Sequence, residues 1–61
     1  MNKGDHVKIR RQTFLHNGVF VIQNSPVEII DEKDGKFTVL YRDKEGLEHK
    51  IEGFGAEELG N

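Results

Sequence analysis

The three histidines, His6, His16 and His49, are the first side chains to test for chemistry. They are separated by ten and 33 residues, and no HxH or HxxxH spacing brings two imidazoles onto one face of a strand or helix. The stretch DEKDGK at 31–36 puts Lys33 and Gly35 where a calcium loop requires oxygen ligands. With no cysteine there is neither a thiolate nucleophile, nor a thiolate metal ligand, nor a disulfide. The only serine, Ser25, precedes Pro26 and has no motif that supplies a base and an oxyanion hole; a turn serine bonding local backbone is the simpler reading. Asp31, Glu32 and Asp34 cluster at a hairpin tip, where water keeps them ionised. An acid and base pair needs a concave, partly dry site to separate its pKa values. The sequence therefore predicts no catalytic residue, no metal site and no cofactor. His49 shares a face with Leu47 and Ile51, which reads as a rim histidine with one nitrogen satisfied.

Two constellations suit binding instead. The first is basic: Lys8 and Arg10 fall on one face of an alternating strand, with Lys3 and Arg11 nearby. Residues 1–16 sum to +3 and residues 17–61 to −5, so the net charge is −2. Such a patch, with Phe14 and Phe20 to stack on bases, would serve nucleic-acid binding that weakens with salt. The competing reading pairs Lys8 and Arg10 with carboxylates on neighbouring strands.

The second constellation is apolar. Phe14, Leu15, Val19, Phe20, Val21 and Ile22 place six large apolar side chains within ten positions. If both faces of this segment are apolar, a domain this small cannot cover both. The surplus fits a protein-binding surface or a homodimer contact; the alternative is that the loop folds back and supplies core.

The elements that must position these residues follow from periodicity. The helical repeat fails nearly everywhere, whereas apolar and polar residues alternate in short runs bounded by turn residues. Val7 and Ile9 point one way in HVKIRR, and Val27 and Ile29 share a face in PVEIID. Phe37, Val39 and Tyr41 alternate through KFTVLYR, and Leu47, His49 and Ile51 through LEHKIE. Pro26 cannot donate to a ladder, so it starts its strand or sits at an edge. Asp34-Gly35 signals a type I′ hairpin, and Asp43 to Gly46 supply the next turn. Residues Pro26 to about Glu52 thus read as a three-stranded antiparallel meander. Asn17-Gly18 signals another hairpin, expected as an irregular, projecting loop over residues 12–24. In the tail GFGAEELGN, Ala56 to Leu59 read as one 3₁₀ turn that plugs the barrel end with Leu59.

Sixty-one residues permit one domain, 1–61, with a small core and marginal stability. The longest apolar run, Val19 to Ile22, is far short of the roughly 20 residues that span a bilayer. MNKGDHVKIRR carries charge with no apolar stretch behind it, so a secretory signal is not expected. A cytoplasmic protein without membrane attachment is the expectation.

The order of elements, with KGDHVKIRR, a long loop, VEIIDEKDGKFTVLYRD, a fourth strand and a terminal EEL, resembles a small SH3-like barrel of about five antiparallel strands. Within that fold the layout is similar to the photosystem I reaction-centre subunit IV family and to the variable chain of ferredoxin–thioredoxin reductase. Those families are non-catalytic subunits that brace a complex or help dock a redox partner, so the resemblance implies an accessory or binding role. GDHVKIRR also resembles the KOW-type domains of ribosomal and transcription proteins, although Pro26 stands where their pattern places a glycine. An OB-fold-like barrel is the alternative fold.

Together these readings predict an all-β, SH3-like, non-enzymatic interaction module. Its protein-binding surface would be the loop 12–24 and the adjacent basic strand face, through Phe14, Phe20, Ile22, Arg10 and Arg11. A nucleic-acid-binding domain using Lys3, Lys8, Arg10 and Arg11 is the alternative.

Overall fold

The computed structural model describes all 61 residues, as seven strands and one 3₁₀ turn. The strands are β1 (His6–Ile9), β2 (Phe14–His16), β3 (Val19–Val21), β4 (Pro26–Lys33), β5 (Lys36–Arg42), β6 (Glu48–Gly55) and β7 (Leu59–Gly60), with the turn at Ala56–Glu58. The main sheet is antiparallel in the order β6-β5-β4-β1-β7, and β2 and β3 form a separate two-stranded sheet. No helix is long and apolar enough to cross a membrane.

The hairpins form where turn chemistry places them. Asn17 and Gly18 have φ of 50° and 82°, and Asp34 and Gly35 have 53° and 79°, the paired positive angles of type I′ turns. Both loops are two residues long, closed by His16 opposite Val19 and by Lys33 opposite Lys36. Pro26 is the first residue of β4, where its missing N–H breaks no bond.

The alternation then sorts side chains. Val7, Ile9, Val27, Ile29, Phe37, Val39 and Tyr41 all enter one core cluster with Val21, Ile51, Phe54 and Leu59. This cluster draws on both edge strands, and chain length explains how. Gly55 ends β6 and Leu59 begins β7, four residues on, a reach of at most about 14 Å. In a flat sheet those edges would lie four strand spacings apart, about 19 Å. The sheet must therefore curl around its core.

Several expectations are corrected. The hydrogen-bonded ladder ends at β6 on one side and β7 on the other, so the curled sheet is open rather than a closed barrel. Residues 12–24 contain a regular two-stranded sheet instead of an irregular loop. β6 does not stop near Glu52 but runs to Gly55. Its register shifts so that Ile51 opposes Val39 while Phe54 opposes Phe37, one extra residue on β6. Gly53, at φ 90°, takes the strain of that bulge. The shift changes the inward spacing from two to three and brings Phe54 fully into the core. Leu47 lies in the turn before β6 and is 59% exposed, not aligned with Ile51 in a strand. Finally, Leu59 is buried as expected after its 3₁₀ turn, but it also begins β7 and pairs with Ile9.

Candidate functional site

The β2–β3 hairpin lies over the core as a lid, and its strand alternation gives it two unlike faces. Phe14 and Val21 are directly opposed, as are Leu15 and Phe20. On the inner face Val21 is fully buried, and Phe14 and Val19 are half-buried against the core cluster. On the outer face Leu15 is 60%, Phe20 64% and Ile22 40% exposed. The question of core or surface therefore divides residue by residue within one hairpin.

Two latches hold the lid. At its base the Arg11 guanidinium meets Glu58 in a fork, Nε to Oε2 at 2.6 Å and Nη2 to Oε1 at 2.8 Å. The Arg11 Cζ lies 4.8 Å from the Phe14 ring centroid and 4.4 Å from that of Phe54. The two rings are 6.0 Å apart and tilted. A planar cation held between rings and paired edge-on with a carboxylate combines cation–π attraction with two charge-assisted hydrogen bonds. The Arg11 hydrogen bonds and the Gly55 N–H donating at 2.9 Å hold the Glu58 carboxyl down to about 2. The same pairing raises the Arg11 pKa.

The second latch is the Tyr41 hydroxyl, which donates to Phe20 O at 3.2 Å and accepts from Ile22 N–H at 3.3 Å. A buried phenol finds its partners in the lid's own backbone. Gln23 closes the neck of the hairpin, its backbone N–H donating to Thr13 Oγ1 and its side chain to Arg10 O, both at 3.0 Å.

Beside the second latch the lid stands off from the β5–β6 turn and leaves a groove of about 400 Å³. It is lined by Thr13, Gly18, Val19, Phe20, Ile22, Tyr41 and residues 43–45. Asp43 shapes the far wall: its Oδ1 accepts from Glu45 N–H at 2.9 Å and Leu47 N–H at 3.0 Å, fixing the turn. Its Oδ2 lies 2.7 Å from His49 Nε2. The His49 hydrogen bond, aided by the two backbone N–H groups, lowers the Asp43 pKa. His49 is thus the rim histidine with one satisfied nitrogen. No three His, Asp or Glu side chains converge to hold a metal ion.

The residues singled out in the sequence separate in space. Phe20 and Ile22 line the groove, whereas Phe14 and Arg11 lie outside its lining, in the clasp with Phe54 and Glu58. Arg10 is exposed and its Nη2 donates to Asn61 O. Lys3 lies in the N-terminal turn and Lys8 on the outward side of β1. The cross-strand charge pairs expected for Lys8 and Arg10 do not form; the pair on the outer sheet face is Arg42–Glu48, at 2.8 Å. Thr13 falls within the loop 12–24 expected to bind, whereas Tyr41, Asp43, Lys44 and Glu45 were not assigned to a site. The available signal was Asp43 opening a D-K-E-G turn, since an aspartate there caps backbone N–H groups and fixes a wall.

Compared with models of protein families, with curated proteins and with solved structures, the chain finds no match.

Proposed function

We propose that this protein is a small, open SH3-like barrel acting as a non-enzymatic interaction module, and that it binds an extended segment of another protein in the groove beside the lid. The observation that carries this reading is Phe20, 64% exposed at the groove although half of its own hairpin is packed into the core. An aromatic ring held on a latched, two-stranded scaffold loses little conformational entropy on binding, which suits it as an anchor. Ile22 extends the apolar surface, and Lys44 on the groove's far wall is the cation placed to orient an acidic group on the partner, whereas the Arg10 guanidinium donates to Asn61 O. Phe14 and Arg11, both engaged in the clasp, have supporting roles. The order of strands, the lid after β1 and the 3₁₀ turn before the last strand are what favour the SH3-like reading of the fold.

Nucleic-acid binding is the weaker reading, because it draws on Arg11 and Phe14, which already satisfy one another. Its remaining cations are Lys3, Lys8 and Arg10.

Selection of a random-peptide library on the immobilised domain, followed by NMR titration of labelled protein with the enriched peptides, tests the proposal. Shifts centred on Phe20, Ile22 and Tyr41, lost in Phe20→Ala and insensitive to salt, are expected. Short DNA and RNA strands, titrated at low and at physiological salt, form the control. Failure to enrich any peptide, or salt-sensitive shifts centred on Lys3, Lys8 and Arg10, would replace this reading.

A further inference from the structure

The main sheet has one long unpaired edge. β6 bonds only to β5, and the direction of its remaining backbone groups follows from its neighbours. Ile9 N–H donates to Ser25 O at 3.0 Å and Ile29 N–H to Asp5 O at 2.9 Å, so Ile29 is turned toward β1. Antiparallel alternation then turns Glu28 toward Leu40, and Val39 and Tyr41 toward Ile51 and His49. The N–H and C=O groups of Glu48 and Lys50 are left pointing outward. At its far end the edge closes, because the bulge at Gly53 twists it and Gly53 O accepts Arg11 Nη2 at 3.4 Å. The open stretch is therefore Leu47 to Ile51.

We propose that this edge pairs with β6 of a second copy of the chain, antiparallel about a two-fold axis at His49, to give one continuous sheet across the dimer. Charge selects the register. Hydrogen-bonded pairs form between residues whose backbone groups point outward, so an axis at Lys50 sets Lys50 on Lys50 and Glu48 on Glu52, and an axis at Glu48 sets Glu48 on Glu48. Like charges directly opposed are destabilising. An axis at Ile51 drives the second strand into the end covered by Arg11. The axis at His49 alone sets Glu48 opposite Lys50 twice on the open stretch. It also carries Leu47, 59% exposed, to Ile51 of the second copy. Lys50 has no carboxylate partner within its own chain. The same charge row repels strands of unmatched charge, so the edge favours its own copy over general aggregation.

Sedimentation velocity of the full chain, from micromolar to millimolar protein, tests this. A monomer–dimer equilibrium is expected, weakened on the order of tenfold or more by Lys50→Glu. The exchange Glu48→Lys with Lys50→Glu, made together with Arg42→Glu so that position 48 keeps an opposite charge across from it on β5, preserves complementarity about His49 and should restore the dimer; about Ile51 it would oppose two glutamates. The altered side chains are all solvent-facing, and circular dichroism verifies folding of each variant. Slowed amide exchange at Glu48 and Lys50 with rising concentration is the matching local signal. A monomer at every concentration, a dimer indifferent to Lys50→Glu, or an exchanged variant that stays monomeric would overturn the proposal. The groove's lining residues all lie outside β6, so Phe20→Ala should leave the dimer intact, which separates this test from that of peptide binding.

Discussion

The two faces of the β2–β3 hairpin are built from the same kinds of residue and have opposite fates. Inward, Phe14, Val19 and Val21 pack on the core, while Arg11, Phe54, Glu58 and Tyr41 tie the hairpin down. Outward, Leu15, Phe20 and Ile22 keep 40–64% of their surface in water. Side-chain hydrophobicity does not distinguish the faces; only what lies opposite each does. The inner face secures the lid, and a secured lid can hold apolar groups in water without collapsing onto them.

Substitutions should separate the faces by size of effect. Phe54→Ala removes a fully buried ring that also supports Arg11 and Phe14. A loss of about 3–5 kcal/mol is expected, enough to unfold much of a domain this small, and chemical denaturation measures it. A milder result would mean that the clasp closes without its central ring.

Next in size is the ion pair. Arg11→Ala should cost about 1 kcal/mol, since both partners are partly in water and solvent screens the pair. It also carries a pH signature. Glu58 is ordinarily near 4.5 and is held at about 2 when folded. A depressed carboxylate stabilises the fold above its ordinary value, and that contribution is lost as pH falls from about 4.5 toward 2. Urea midpoints across this window should fall more steeply in the wild type than in Arg11→Ala. Parallel pH profiles would show that the pair adds nothing to folding.

Tyr41→Phe keeps the ring and removes only the hydroxyl latch. Its hydrogen bonds are long, so a cost near the lower end of about 0.5–1.5 kcal/mol is expected. Amide exchange at Ile22, which loses its acceptor, should accelerate more than exchange in β4 or β5. Equal acceleration everywhere would assign the hydroxyl to global stability rather than to the lid.

The smallest stability effect belongs to the outer face. Phe20→Ala should change stability by less than about 0.5 kcal/mol, with thermal melting as the readout, and yet abolish peptide binding. If it unfolds the domain instead, the two faces are not distinct and Phe20 belongs to the core.

Much of the fold was legible because it is local. Asn17-Gly18 and Asp34-Gly35 state their turns outright, and period-two alternation assigned Val7, Ile9, Val27, Ile29, Phe37, Val39 and Tyr41 to one face. Legibility failed at Gly53. A glycine within an alternating run reads as a stop, and the bulge it permits moves the next inward residue from two positions on to three, so Phe54 was missed. β7 was missed as well, because two residues carry no pattern and their strand exists only by pairing with β1. The groove was legible in part: Phe20 and Ile22 were named and line it, whereas Phe14 and Arg11, named with them, engage Phe54 and Glu58 at 40 and 47 residues' separation.

The sequence by itself determined β1, β4, β5 and the first half of β6, the hairpin turns at Asn17-Gly18 and Asp34-Gly35, and the surplus of apolar side chains in residues 12–24, because propensity, turn chemistry and periodicity act over a few residues. Only the tertiary structure decided which of those side chains meet water, where Arg11 finds its carboxylate and which sheet edge stays open. Those outcomes depend on which distant surfaces arrive opposite one another when the sheet curls, and no local pattern encodes that meeting.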